Sequence, residues 1–359
     1  MKKEDDNTKK ISVIGSGSFA TALTKILNGN GVELHWCVRN QHIIDHLQKY
    51  GHNPSYLRSA TFNVSLLRLS TDMLATIRST DYIILTIPSA YVEEVLEALP
   101  KDVFKGKKII SAIKGILPKR NMLLNDYLKA EFDFDANDYY TIMGPCHAEE
   151  VASEKLSYLT FTGLNQTTAQ WIADQFRNHY INTVINNDVY GVQFAAILKN
   201  IYALGSGIAH GLEYGDNFLS VFIANAADEM AGFLRKVGIR NIEVGVHKEP
   251  IPGVQLLKTS LRKSANYAAS VYMGDLLVTC YSLYSRNRTF GNMIGKGFSV
   301  KAAQLEMNMV AEGYNASKCF YQINQEVGAD MPIATAIYKI LWEGVQPAEA
   351  FEQLEQVLI

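Results

Sequence analysis

The sequence predicts an α/β fold in two parts, a doubly wound parallel sheet followed by an all-helical domain. Three observations carry this expectation. Short β-branched runs alternate with helical stretches through the first half, the pattern of strands joined by crossover helices. The first such run ends on glycines spaced to turn directly into a helix. From about Asp188 onward, long apolar patterns of period 3.6 replace the alternation. A chain of 359 residues also exceeds one typical hydrophobic core. The expected division is 1–187 and 188–359.

Strands are expected at 10–14, 32–38, 81–87, 107–113, 139–143 and 156–162, with helices at 18–29, 40–49, 72–79, 89–98 and 119–130 between them. The first strand, Ile11-Ser12-Val13-Ile14, runs into Gly15, Gly17 and Ala20, spaced as G-x-G-x-x-A. Gly15 makes the tight turn, Gly17 lets a pyrophosphate approach the backbone, and Ala20 permits close helix–strand packing. The free N–H groups of the helix then face an anion. This is a Rossmann-like reading: residues 1–187 form a dinucleotide-binding domain, with ligands beyond the strand C-termini. In the second part, helices are expected at 189–211, 217–237, 262–284, 300–311, 315–328 and 333–342. Pro250, Pro252 and Gly253 break one connection. This helical substrate domain closes over the crevice.

Several function classes are disfavoured. Lys plus Arg number 34 against 36 Asp plus Glu, so there is no net field to hold nucleic acid or an anionic membrane. No run is long and apolar enough for an integral membrane segment. The opening MKKEDDNTKK has no apolar signal core. Cys37, Cys146, Cys280 and Cys319 are scattered, which fits a reduced, cytoplasmic chain without a zinc site.

Chemistry-bearing residues gather at the expected strand ends. Arg39 closes the second strand where NAD-selective sites often carry an acid. It either stacks on adenine and meets a 2′-phosphate, favouring NADPH or mixed use, or is a plain surface arginine. Thr86-Ile87-Pro88-Ser89 either faces the cofactor or only starts a helix, with Ser89 as its cap. Lys114 follows a strand and points into the crevice, where it pairs with a substrate phosphate or merely solvates the strand end. Gly144-Pro145-Cys146-His147-Ala148 follows the next strand, with His147 more often structural than catalytic. Lys199 lies inside a small apolar stripe, Val192, Ala195, Ala196, Tyr202 and Ala203. It either snorkels past the stripe or is a partly buried ammonium of lowered pKa, suited to proton transfer. Ser285-Arg286-Asn287-Arg288 can chelate a phosphate or form a charged loop. Asp275, ten residues earlier, orients a lysine or caps its helix.

Together these residues resemble the bacterial-type NAD(P)-dependent glycerol-3-phosphate dehydrogenases, from Ile11 to about Tyr338. The carriers are GSGSFATA at 15–22, IPS at 87–89, KG at 114–115, GPCHAEEV at 144–151, GVQFAAILKNIYALGSGIAHG at 191–211, GDLLVTCYSLYSRNRTFG at 274–291 and AEGYNASK at 311–318. The resemblance implies reversible reduction of dihydroxyacetone phosphate to sn-glycerol 3-phosphate with NADPH or NADH. Lys199 is then the general acid/base. Lys114, Gly144, Cys146, Asp275, Ser285, Arg286 and Asn287 surround the substrate. Gly15, Gly17, Ser18, Phe19, Arg39, Lys114, Ala148, Arg286, Val310 and Glu312 meet the cofactor; no metal is implied. A homodimer is an open expectation, since the sequence does not fix the oligomeric state.

Three departures stand out. Cys146 replaces the usual Ser or Thr, a poorer hydrogen-bond donor, although a thiol beside lysines is expected to ionise more readily. Asn225-Ala226-Ala227 replaces an Arg-Gly-Leu run, and Val271-Tyr272-Met273 precedes Gly274-Asp275 where Gly-Leu-Gly-Asp is usual. Two alternatives stay open: a related dehydrogenase acting on another phosphorylated or carboxylated hydroxy compound, and a non-catalytic dinucleotide sensor.

Overall fold

A computed structural model describes residues 9–239, 269–307 and 311–359. The expected connection break at Pro250, Pro252 and Gly253, the start of the 262–284 helix and Val310 lie outside them. Eight strands form one sheet: β1 (Ile11–Ile14), β2 (Leu34–Cys37), β3 (Leu67–Ser70), β4 (Tyr82–Leu85), β5 (Lys108–Ser111), β6 (Tyr139–Met143), β7 (Ser157–Gly163) and β8 (Ile181–Asn186). Their order is β3-β2-β1-β4-β5-β6-β7-β8. The helices of this part are α1 (Ser18–Gly29), α2 (Gln41–Tyr50), α3 (Met73–Arg78), α4 (Ser89–Glu97), α5 (Leu124–Phe132), α6 (Ala148–Ala152) and α7 (Gln166–Phe176).

Strand residues alternate between the two faces: Val13 enters one apolar cluster with Leu23, Ile26 and Trp36, whereas Ile14 enters another with Ile83, Val92 and Leu96. The sheet is therefore covered on both sides, as the doubly wound expectation requires.

Three features differ from the sequence expectation. β3 and β8 are edge strands with few buried positions, so neither shows a continuous apolar run. β7 runs antiparallel to β6. The connection between them holds only the five-residue α6, about 7 Å of helix, which cannot carry the chain back along the sheet for a parallel return.

The helical part comprises α8 (Val189–Gly211), α9 (Asp216–Lys236), a π-helical turn (Ala269–Gly274), α10 (Asp275–Tyr281), α11 (Arg286–Gly295), α12 (Val300–Glu306), α13 (Glu312–Val327), α14 (Pro332–Tyr338) and α15 (Pro347–Glu355). Its axis is α8, 23 residues long and buried almost all round. Ile116, Leu123 and Met143 of the first part join the same core, so the two parts share apolar contact. The sequence left α7, α11 and α15 unassigned.

Helix α11 lies against α8 at backbone distance. A Cβ on Gly207 would strike the Arg288 carbonyl and lie 2.8 Å from the Asn292 nitrogen, and one on Gly291 would strike the Leu204 carbonyl. Only glycine permits this approach. Gly207→Ala is expected to force the helices apart and destabilise the protein by about 1–3 kcal/mol, read as a lower denaturant midpoint.

Candidate active site

The glycine turn is built for an anion. Gly15 sits at φ +127°, and a Cβ there would collide with the Thr86 hydroxyl. Its carbonyl accepts from Trp36 Nε1 at 2.7 Å, which fixes the turn against β2. Helix α1 then starts with no side-chain cap and no acid in its first turn. A Cβ at Gly17 would meet nothing within 4 Å. Open space before uncapped N–H groups of a 12-residue helix suits a pyrophosphate. Arg39 stands exposed just past β2. The residues present therefore fit a dinucleotide.

Across the crevice, α8 carries Lys199, which is only 4% exposed. Its ammonium pairs with Asp275 Oδ1 at the start of α10, and Asp275 is 1% exposed. Lys114, just beyond β5, places Nζ 3.9 Å from Asp275 Oδ2 and 5.1 Å from the centre of the Phe19 ring. Burial pulls the Lys199 pKa down to about 7; Asp275 opposes that fall and Lys114 adds to it. For Asp275, burial pushes upward, but Lys114 and Lys199 outweigh it and hold the carboxyl below its ordinary value. The snorkelling alternative for Lys199 does not describe this side chain, which ends inside the protein. The pair thus holds a proton poised to move near neutrality.

The β6–α6 loop forms another wall. Gly144, Cys146 and Ala148 are buried. The expectation that Cys146 ionises readily is corrected here: burial pushes its thiol up to about 12, and the nearby lysines do not compensate. His147 is lowered to about 4, by burial first and then by Lys199 and Lys114, so it is neutral. Its Nε2 and Asp275 Oδ2 are buried without a hydrogen-bond partner.

Ser285-Arg286-Asn287-Arg288 is not a loop. Ser285 is the N-cap of α11, accepting from Arg288 N at 3.3 Å. Residues two apart on a helix point in opposite directions, so the arginines diverge. Arg286 donates from Nη2 to Ser18 Oγ across the crevice, whereas the Arg288 backbone lies against Gly207. Of the two, Arg286 is the arginine seen to reach across the crevice.

A buried amide chain joins the site's pieces. Gly313 N donates to Asn287 Oδ1 at 2.9 Å, Asn287 Nδ2 to Asn200 Oδ1 at 3.0 Å, and Asn200 Nδ2 to the Lys114 carbonyl at 3.1 Å. Glu312 opens α13, and its carboxylate accepts from Ser89 N at 3.1 Å and from Ser89 Oγ at 2.5 Å. Ser89 is thus not the cap expected from sequence. It is the first residue of α4, and Glu312 supplies the cap.

Two family profiles match this chain. The N-terminal region of NAD-dependent glycerol-3-phosphate dehydrogenase matches residues 10–169, and its C-terminal region matches 188–352. The chain belongs to the NAD-dependent glycerol-3-phosphate dehydrogenase family. A glycerol-3-phosphate dehydrogenase [NAD(P)+] from Bacillus pumilus is 32% identical over 347 residues, covering 96% of this chain and 94% of the relative. A crystal structure of glycerol-3-phosphate dehydrogenase from Coxiella burnetii superposes with a TM-score of 0.83 at 25% identity, covering 96% and 98% of the two chains. The Plasmodium falciparum glycerol-3-phosphate dehydrogenase shares the fold, at TM-score 0.80 and 21% identity over 97% and 95%.

Family membership was legible in the motifs, but some contributors were not. Asn200 carried no signal beyond its place next to Lys199. Asp188, the N-cap of α8 through Gly191 N at 2.8 Å, was visible only as a helix start. Val310 lies outside the described residues. Among those residues, no cluster of His, Cys, Asp and Glu could hold a metal, and no helix is long and apolar enough to cross a membrane.

Proposed function

We propose that this chain catalyses the reversible NAD(P)H-dependent reduction of dihydroxyacetone phosphate to sn-glycerol 3-phosphate, supplying glycerophospholipid synthesis. The observation that carries the reading is the buried Lys199–Asp275 pair, facing Lys114 across a crevice whose floor is an uncapped glycine turn. Gly15, Gly17, Ser18, Phe19, Arg39, Lys114, Ala148, Arg286 and Glu312 would hold the dinucleotide. Its nicotinamide, when bound, supplies hydride to the ketone carbon.

Lys199 polarises the carbonyl oxygen and gives it a proton as the alkoxide develops. Asp275 keeps the ammonium charged and directed despite its burial. Lys114 and Arg286 hold the phosphate, with Ser285 and Asn287 at the start of α11. Gly144 and Cys146 line the opposite wall, where the protonated thiol serves as a neutral contact. The phosphate contacts position the ketone, which is an orientation effect. The reading places the domain boundary at 187/188, between β8 and α8. It also includes a homodimer and a cytoplasmic location, the latter supported by four unpaired cysteines.

Absorbance-monitored NADPH consumption with dihydroxyacetone phosphate tests the reading; no turnover refutes it. The pH profile adds a direction. Lys199 must start protonated for reduction, so kcat is full below about 7 and falls as pH rises through that value. For oxidation it must start neutral, so kcat rises through the same range.

A further inference from the structure

The run Val271-Tyr272-Met273 precedes Gly274-Asp275, and one of its side chains reaches the helix that carries Lys199. Tyr272 is buried at 7% exposure, and its hydroxyl donates to Asp188 Oδ2. The other carboxylate oxygen of Asp188 accepts from Gly191 N at 2.8 Å and so caps α8. Asp188 N in turn donates to Asn186 Oδ1 at 2.5 Å, at the end of β8. The carboxylate lies flat on Gly191, where a Cβ would sit 2.7 Å from Asp188 Cγ.

We propose that Tyr272 is a positioning residue for the Lys199–Asp275 pair, tying the segment that bears Asp275 to the N-cap of the helix that bears Lys199. The inference rests on Lys199 acting as the acid. The geometry gives two ties between the same two elements. One joins Tyr272 to Asp188 at the start of α8; the other joins Asp275 to Lys199, about 16 Å farther along its axis at 1.5 Å per residue. Helical side chains lean toward the N-terminus, so Lys199 leans back toward the first tie. Tyr272 lies within a π-helical turn, Ala269–Gly274, that runs directly into Asp275; such a turn wraps more loosely than an α-helix and occurs often at functional sites. The Val271 side chain stays in the shared core, so losing the Tyr272 tie slackens the turn without releasing it. Burial and the neighbouring Asp188 raise the Tyr272 pKa, so the hydroxyl remains a donor.

The groups facing Lys199 are Asp275 and Cys280 of α10, Lys114 beyond β5, and Cys146 and His147 of the loop after β6. Asp275 is the one that favours the ammonium. Slackening its segment therefore lowers the pH at which Lys199 loses its proton.

Tyr272→Phe keeps the ring and removes the tie. The measurement is kcat for dihydroxyacetone phosphate reduction against pH, with NADPH affinity measured alongside. The expected result is a basic limb displaced downward by about half a unit or more, with NADPH affinity unchanged. Asp188→Ser keeps a side-chain cap for Gly191 N but is too short to reach the phenol, so it should reproduce the shift, and the double variant should add nothing further. It also carries the test if Tyr272→Phe does not fold. A limb left in place by both variants, even with lowered thermal stability, overturns the positioning role. A parent profile without a limb near 7 overturns the acid role of Lys199 itself, and the Tyr272 assignment falls with it.

Discussion

Lys199→Met is expected to lower kcat for dihydroxyacetone phosphate reduction by about 10²–10⁴-fold, the usual contribution of a positioned acid. NADPH affinity should be unchanged, because the glycine turn and α1 lie on the other side of the crevice. Methionine preserves the length of the chain and removes the proton. It also leaves Asp275 buried with only Lys114, at 3.9 Å, to balance it. Such a carboxylate is costly, so the fold is to be checked with Lys199→Met/Asp275→Asn, in which neither charge remains. Stopped-flow NADPH binding and steady-state turnover separate the two effects. Near-normal turnover in a folded Lys199→Met would remove the lysine from the mechanism. The basic pH limb expected of the parent near 7 should vanish in the variant.

Arg286→Ala is expected to raise the apparent KM for dihydroxyacetone phosphate by about 10–100-fold for each charged hydrogen bond lost, at about 1.5–3 kcal/mol per bond. The side chain crosses the crevice from α11 to Ser18. It therefore stands between the substrate pocket and the glycine turn, and its loss should weaken both ligands, the substrate more. Arg288→Ala provides the internal comparison. Its side chain leaves the opposite side of the same helical turn, so KM should stay near the parent value. Equal effects at the two positions would show that the segment binds phosphate as a diffuse charge and not through one directed guanidinium.

What the sequence revealed follows the range of each interaction. The glycine turn is local, and five residues of spacing suffice to identify it. Lys199 was conspicuous because an ammonium breaks an apolar stripe at helical period. The strands buried on both faces could be read as apolar runs, whereas β3 and β8, each at an edge, could not. Helix α11 was hidden for a different reason. Its buried face mixes Asn287 and Gly291 with Phe290 and Ile294, and its first turn is charged, so the apolar periodicity is weak. The pairs Asn200–Asn287, Ser89–Glu312 and Tyr272–Asp188 join residues far apart in the chain, and no local pattern announces such a partner. Only the fold shows what Tyr272 touches.

The glycine-faced contact between α8 and α11 bears on how the enzyme opens. Lys199 sits on one of these helices and Arg286 on the other, and at Gly207 and Gly291 their backbones meet with no side chain between them. They form one rigid jaw. A motion that widened the crevice at these helices would carry Lys199 and Arg286 together, breaking the Arg286–Ser18 bridge while the spacing between the two helices stays fixed.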